Sequence, residues 1–371
     1  MRLTIDTKTL KWGLASVGRA SVKNGPMPIL SAVRIQVHDG FLTMKTTNLE
    51  TTASAKIPTE TGNAGIFAVD HGLITATASA ITADHVVMTV LDTSMVMEAP
   101  GVKVTMNLLD ANDFPAMSDL SGEAATTIDS ATLVDVLQRT IVTVASDNLR
   151  PVLAGVLLSP EPGGACIAAS SDGFRLTAMT FASTALTNDV VVPTMCISEI
   201  IRIASTTDSV ELRISDRMID VRTVDGAQQI TGRLIDGKYP NVRAILARTA
   251  GYETLKLPTS KVLSAVRLCR LYVDKAAPSG TISMHERVTG GCSMRMQSEG
   301  DRGNVVQEVD VDGGLNQDVS ITLNLAFLEA ALKSVKTGLA TLAVKSKMDP
   351  VIVSEETDTY TYQHVIMPMN R

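Results

Sequence analysis

Aromatic residues are scarce in this chain of 371 residues: they make up 3% of the total, and Trp12 is the single tryptophan. Proteins that bind single-stranded nucleic acid usually stack bases on aromatic side chains, so this scarcity argues against that class. The hydrophobic share is nevertheless 45% and includes 17 methionines. We therefore predict folded domains with aliphatic, methionine-rich cores.

The sequence also lacks long apolar runs and paired cysteines. No stretch of about 18 apolar residues could span a membrane, and the polar start MRLTIDTKTL does not resemble a signal peptide. Four cysteines lie far apart with no CxxC pair: Cys166, Cys196, Cys269 and Cys292. These features predict a cytoplasmic protein without membrane association, whose thiols are reduced and buried and are neither disulfides nor zinc ligands.

Catalytic and cofactor-binding motifs are missing as well. The five histidines form no HExxH or other paired metal spacing, and the glycine-containing segments match neither the phosphate-cradling loop GxxxxGKS/T nor GxGxxG. The acidic stretch 301–312 lacks the spacing of a calcium loop. We therefore predict that the protein is not an enzyme and has no catalytic residue, metal or cofactor.

What the sequence does contain is an internal repeat. The segment TIDTKTLKWGLASV from Thr4 recurs as TIDSATLVDVLQRT from Thr127. The segment PILSAVRI from Pro28 recurs as PVLAGVLL from Pro151, at the same offset of 123 residues. A third, weaker copy begins with LPTSKVLSAVRLCR from Leu257. Two independent matches at one offset indicate duplication of a whole structural unit.

The repeats divide the chain into three tandem units, which are residues 1–122, 123–249 and 250–371. Each unit has two segments with apolar residues at the three- and four-residue spacing of helices, separated by alternating, strand-like segments. The HDG tripeptide at 38–40 predicts a hairpin turn. We predict an α+β fold in which each unit contributes two helices and antiparallel sheets.

The predicted helices are more basic than the rest of the chain. Their windows are 4–23, 66–81, 130–150, 193–205, 259–275 and 324–336. These windows hold 13 Lys and Arg against 7 Asp and Glu, whereas the whole chain has 33 against 39. Two interpretations stay open: a shared basic face that contacts phosphates without regard to sequence, or ordinary solvated cations on helix surfaces.

Several motifs occur in a fixed order along the chain. They are PMPILSAVRI near the N-terminus, RPVLAGVLL followed by SSDGFRLTAM, the DFP and KYP ends of the first two units, and the terminal VIMPM. Together they resemble the bacterial DNA sliding clamps, the beta subunits of DNA polymerase III. The resemblance implies a head-to-tail homodimeric ring of six units, with helices inside and sheets outside. Such a ring encircles duplex DNA and acts as a processivity factor.

The resemblance also implies DNA contacts from the helices. By position in the family, the candidates are Lys23, Asn24, Arg150 and Arg202. Helix placement alone adds Lys8, Lys11, Arg19, Lys333 and Lys336. Asn24 departs from the family, in which an arginine is usual.

Sliding clamps further capture short peptides of the replicative polymerase, the clamp loader and repair proteins in a cleft between units two and three. The matching positions are Leu153, Ser171, Gly173, Phe174, Arg175, Leu176, Pro240, Ile245, Asn324, Phe327, Met348, Pro350, Val365, Ile366, Met367, Pro368 and Met369. Phe174, Ala244 and Asn370 replace a usual histidine and two arginines of the family, so we expect a more apolar and less basic cleft.

The resemblance places Val104, Tyr272 and Val273 at the dimer interface. The alternative function is a repeat-built scaffold that binds proteins without encircling DNA. Such a scaffold would share the repeats and the cleft but would not need basic helices.

Overall fold

Antiparallel strands form most of the regular structure, with short helices between them. The computed structural model describes residues 1–23, 25, 27–59, 61–116, 120, 122–146, 149–184, 186–248, 251–274, 278–287 and 291–369. No helix within these ranges is both long and apolar enough to cross a membrane.

Each of the six predicted helical windows contains a helix. The helices of the described chain are α1 (Thr7–Val17), α2 (His71–Ala80), α3 (Ser130–Thr140), α4 (Thr194–Ala204), α5 (Val242–Leu246), α6 (Thr259–Arg270) and α7 (Leu325–Lys333). The short α5 was not predicted from the sequence. Side chains just before the first turn fix several of these starts: Asp6 accepts a hydrogen bond from the Thr9 N–H at 2.7 Å, and Asp70 accepts one from the Leu73 N–H at 2.8 Å.

Within the described residues, thirteen strands form one antiparallel sheet. In spatial order they are β10 (Thr126–Asp129), β15 (Ser209–Ile214), β16 (Met218–Thr223), β17 (Gln228–Arg233), β4 (Thr51–Pro58), β3 (Phe41–Thr47), β2 (Ala32–His38), β6 (Gly65–Asp70), β9 (Val102–Leu109), β8 (Ser94–Ala99), β7 (His85–Val90), β1 (Arg2–Asp6) and β5 (Thr61–Gly62). The β17–β4 pairing places Ile230 opposite Ala53, so it joins strands of the first two repeats.

In the part of the chain that the structure describes, twelve strands form a second antiparallel sheet. Their spatial order is β14 (Val190–Pro193), β11 (Gly155–Glu161), β12 (Ala165–Ser171), β13 (Arg175–Ala182), β25 (Tyr360–Ile366), β24 (Val351–Glu356), β23 (Leu339–Val344), β18 (Glu253–Pro258), β21 (Gly303–Gly313), β20 (Cys292–Gly300), β19 (Ser279–Glu286) and β22 (Val319–Asn324). Here the β13–β25 pairing places Met179 opposite Tyr362 and joins strands of the second and third repeats.

The chain packs as two compact units. The first consists of Met1–Val134 with Val192–Ile235, and the second of Asp135–Val191 with Asp236–Arg371. The strands of the middle repeat are thus divided between the two sheets. The boundaries of the three tandem repeats follow the sequence duplication and stay a prediction.

The predicted hairpin turn is confirmed between β2 and β3. Asp39 and Gly40 both have a positive φ, at 50° and 76°. Two consecutive left-handed residues form the tight turn whose twist matches that of the flanking strands. Asp39 tolerates this conformation better than most non-glycine residues do.

The core is aliphatic and rich in methionine, as predicted from the composition. Met44, Met88, Met95 and Met97 are all fully buried on the first sheet. All four cysteines are free and buried, and burial raises the pKa of the Cys196 thiol to about 12. These thiols therefore stay protonated at neutral pH and act as small apolar side chains.

Candidate nucleic-acid interface and peptide cleft

The basic residues of α1 and the turn after it differ in how far they reach into solvent. Lys8 and Lys23 are exposed, and Lys23 lines a groove of about 480 Å³ together with His71 at the start of α2. Lys11 instead donates a hydrogen bond to the Ile81 carbonyl at 2.8 Å. Asn24 lies outside the described residues.

Arg202 on α4 is a half-buried anchor. Its guanidinium donates to the Ser16 carbonyl at 2.6 Å and to Gln228 Oε1 at 2.9 Å, which ties α4 to α1 and β17. It also bonds Glu199 Oε2 at 2.9 Å, and Glu199 is fully buried. Arg19 is mostly exposed and lies 3.9 Å from the other Glu199 oxygen. Arg202 therefore binds mainly within the protein, whereas Arg19 faces solvent.

Three cations surround one glutamate where α6 meets α7. Glu329 Oε1 lies 2.7 Å from Lys333 Nζ and 3.2 Å from Arg267 Nε, and Glu329 Oε2 pairs with Arg270. Burial alone would raise the pKa of Glu329, but these three partners lower it to about 2. The cation side chains remain 39% to 54% exposed, so the cluster keeps an excess positive charge at the surface.

Arg267 and Arg270 were not among the DNA-contact candidates predicted from the sequence. Both lie in the last turn of α6, inside the predicted helical window 259–275. The signal that could have identified them is their spacing of three residues, which places both on one face of the helix. That they share this face with Lys333 depends on the packing of α6 against α7.

Lys336 and Arg150 have different surroundings. Lys336 Nζ lies 2.5 Å from Asp135 Oδ1, and the same carboxylate binds the buried Arg139. The Arg150 side chain lies over the turn between β12 and β13, because a Cβ on Gly173 would be only 3.0 Å from Arg150 Nη2. The structure thus places Arg150 beside the predicted peptide cleft, directly before the short 3-10 helix Pro151–Ala154 and outside α3.

One side of the candidate cleft is the tight turn Ser171–Arg175. Asp172 Oδ1 accepts hydrogen bonds from the backbone N–H groups of Phe174 and Arg175, both at 3.0 Å. The Ser171 hydroxyl accepts one from Gly173, whose φ of 90° suits glycine. This local network leaves Phe174 67% exposed.

The C-terminal tail forms the adjacent wall. Val365 and Ile366 are buried on β25, where Val365 lies opposite Leu176 of β13. Beyond the strand, the Met367 N–H donates to the Phe174 carbonyl at 2.9 Å, and the Met369 N–H donates to the Thr322 carbonyl at 2.8 Å. The tail therefore runs from the tight turn towards β22, which precedes α7, with Pro368 between these two bonds.

The start of α7 completes the contact. Asn324 caps the helix by accepting from the N–H groups of Ala326 at 2.9 Å and Phe327 at 3.3 Å. The Arg175 guanidinium lies 4.3 Å from the centroid of the Phe327 ring. Because Asp172 Oδ2 also holds Arg175 Nε at 2.8 Å, the turn and the helix are joined by one charged, stacked side chain.

The remaining cleft candidates differ in how deeply they are buried. Leu153 is buried, whereas Pro240 and Met348 are exposed and Ile245 lies half-buried in α5. Pro350 directly precedes β24, whose first residue is paired with Ile366. Burial raises the pKa of Tyr239 well above its usual value, and the negative charge of Asp172 raises it further by a smaller amount. Because Asp172 belongs to the tight turn, Tyr239 and the following Pro240 lie near that turn.

The interface candidates lie on or beside strands with incomplete pairing. Val104 on β9 is paired with Met97 of β8, and on its other side β9 meets β6 only at its last two residues within the described chain. Tyr272 packs against the turn between β20 and β21. The contact is so close that a Cβ atom on Gly300 would clash with the Tyr272 carbonyl oxygen. The adjoining Val273 is half-buried.

Comparisons with known proteins agree along the whole chain. Family profiles described as the N-terminal and central domains of the DNA polymerase III beta subunit match residues 1–118 and 127–241. The chain is 24% identical to the "Beta sliding clamp" of Escherichia coli K12, with 100% of both chains covered, and 23% identical to that of Rickettsia felis, with 95% of each covered. The crystal structure of the DNA polymerase III subunit beta from Pseudomonas aeruginosa superposes with a TM-score of 0.91 at 22% identity, over 100% of both chains.

Proposed function

Since the chain belongs to the DNA polymerase III beta subunit family, we propose that it is a DNA sliding clamp that tethers a replicative polymerase to duplex DNA. The observation that carries this function is the match over the full length, in both sequence and fold. The scaffold alternative is not favoured, because it accounts for neither this match nor the exposed cations on the helices.

The working particle is a homodimeric ring whose helices face the DNA. A closed ring needs no tight grip, because topology keeps it on the duplex. Weak phosphate contacts from exposed side chains such as Arg19, Lys23 and Lys333 suffice, since counterions are released and recaptured as the ring slides. The incompletely paired edge of β9 and the Tyr272 region are the surfaces at which two copies would meet.

Partners bind at the cleft centred on Phe174, Arg175, Phe327 and Met367. An extended peptide from the polymerase, the clamp loader or a repair protein would place apolar side chains against the exposed Phe174 and Met367, and methionine adapts to different ligands. The protein itself performs no chemistry, so loading onto DNA would depend on an ATP-driven loader. We place this function in the cytoplasm, where the bacterial chromosome is replicated.

The ring is tested by retention on nicked circular DNA. The protein should have a mass near twice 39.4 kDa and, once loaded, should stay on a nicked circle and be lost when the circle is linearised. The matched control is the same loaded circle left uncut. Retention that survives linearisation, or a stable monomer at micromolar concentration, would contradict the proposal.

The cleft is tested with a labelled peptide from the replicative polymerase of the same organism. Phe174→Ala should weaken peptide binding by about tenfold, because truncating a central aromatic contact commonly costs more than 1 kcal/mol. Phe41→Ala is the matched control, since Phe41 is also exposed but packs against Lys56 on the first sheet. Equal affinities for the two variants would remove Phe174 from the cleft.

A further inference from the structure

The single tryptophan of the chain, Trp12, lies on the solvent side of α1 and is 42% exposed. Lys8, Trp12 and Ala15 recur at helical spacing on this side, and Arg19 continues the row in the 3-10 turn after the helix. All four residues are exposed, and we call them the Trp12 row. The opposite side of α1 is buried in the core through Leu10, Leu14 and Val17.

The segment that carries the Trp12 row is basic. Residues 7–23 contain four cations and no acid. Asp6, just before α1, accepts hydrogen bonds at its Oδ1 from the N–H and the hydroxyl of Thr9, both at 2.7 Å. Glu199 lies 3.9 Å from Arg19 but is fully buried, so it cannot follow Arg19 into solvent. An anion that approaches the row therefore meets a positive surface.

Trp12 presents a flat ring between two cations of this row. At 1.5 Å per residue, Lys8 lies about 6 Å before Trp12 along the helix axis, and Arg19 lies about 10 Å beyond it. Ala15, one turn along from Trp12, has too small a side chain to cover the ring. Proteins bind unpaired nucleic acid with this combination: bases stack on an aromatic ring while neighbouring cations hold the phosphates.

We propose that Trp12 stacks on an unpaired base of the DNA, at a gap or at the junction between duplex and single strand. This inference rests on the clamp function proposed above, which brings α1 to the DNA. The phosphates on either side of the stacked base contact Lys8 and Arg19. Such a contact slows the sliding ring at the junction where a polymerase extends a primer.

The flat ring favours an unpaired base over intact duplex. Inside a duplex every base is already stacked on both faces, so an indole can stack only after a base step has been opened. A base in a single strand or at a junction has a free face and needs no such opening. The scarcity of aromatic residues agrees with one contact of this kind, because proteins that track single strands use several stacking residues.

Tryptophan fluorescence tests the stacking directly, because Trp12 is the only tryptophan of the chain and stacking on a base quenches an indole. The probe is a linear duplex with a single-stranded thymidine tail of about ten nucleotides, titrated at low salt. The wild-type fluorescence should fall as the tailed duplex binds, and should change much less with a fully paired duplex of the same total length. Equal quenching by the two probes, or none by the tailed duplex, overturns the inference.

Two substitutions separate stacking from the burial of apolar surface. Trp12→Leu should weaken binding of the tailed duplex by about fivefold, whereas Trp12→Phe keeps a flat ring and should bind within about twofold of wild type. Phe41→Leu is the matched control, because Phe41 is 40% exposed and its ring centroid lies 4.0 Å from Lys56 Nζ. Phe41 points away from α1, since Met44, three positions along β3, faces α1 at Gly13.

Anisotropy of labelled DNA measures these affinities, and thermal unfolding confirms that each variant is folded. Equal affinities for Trp12→Leu and Phe41→Leu would also overturn the inference. Trp12→Leu should still be retained on nicked circular DNA, because topology and not stacking keeps the ring in place. A wild type that is not retained there contradicts the clamp function, whereas a retained wild type whose fluorescence ignores the tail contradicts only the stacking.

Discussion

Two helices each hold a glutamate among arginines, yet the two sites differ in what their cations can reach. On α4, Glu199 is fully buried, and its partner Arg202 is only 22% exposed. On α7, Glu329 binds Arg267, Arg270 and Lys333, and all three remain well exposed. The first site is an internal anchor, whereas the second is a surface cluster with a net positive charge.

The difference shows why a basic residue on a helix is not by itself a DNA contact. Arg202 uses its donors on Ser16, Gln228 and Glu199, so a phosphate would have to compete with three existing bonds. Around Glu329, one carboxylate is shared by three cations, so a phosphate can approach without displacing an internal partner. We therefore expect the α6–α7 cluster to contribute more to DNA binding than Arg202.

The largest expected effect is on the stability of the α4 site. Arg202→Ala should lower the free energy of unfolding by about 3 kcal/mol, because it leaves the buried Glu199 carboxylate without its closest cation. Urea unfolding followed by circular dichroism measures this change. Arg267→Ala is the matched control and should cost less than about 1 kcal/mol, since its side chain is half exposed and Glu329 keeps two other partners. Similar losses for both variants would erase the proposed distinction.

A smaller effect is expected on DNA binding at the α7 site. Arg270 and Lys333 are replaced together by glutamine, and binding to a short duplex is measured. The slope of log affinity against log salt concentration should become about two units less steep, because two phosphate contacts are lost. Anisotropy at several KCl concentrations gives the slope. Lys256→Gln serves as the control, because Lys256 lies on β18 and bonds Thr341. A slope unchanged by the double substitution would show that the cluster does not contact DNA.

The smallest effect is a pH dependence of stability from Glu329, because solvent screens its three partner cations, which are 39% to 54% exposed. Its folded pKa of about 2 lies below the ordinary value of 4.5, so the stabilisation is complete above pH 4.5 and is lost as the pH falls towards 2. The difference in stability between the wild type and Glu329→Gln should therefore shrink over that range. Thermal unfolding of both proteins between pH 6 and about 2.5 tests this. A constant difference across the range would contradict the ion-pair account of the lowered pKa.

Local patterns in the sequence were sufficient for much of the fold. All six helical windows and the hairpin at Asp39–Gly40 depend on capping residues, apolar spacing and turn chemistry within a few residues. The cleft positions around Phe174 and Met367 came from the resemblance, and the structure joins them through backbone hydrogen bonds. The helix α5 was missed because its five residues are too few to show a helical period.

The sequence by itself determined the repeats, the helix positions and the aliphatic core, since these depend on residues close together in the chain. Only the tertiary structure decided that Arg202 is an anchor and that Arg267 and Arg270 gather around Glu329. Such groupings require a register between strands or a packing angle between helices from distant parts of the chain. Those relations are set by the burial of whole faces, and no local sequence pattern encodes them.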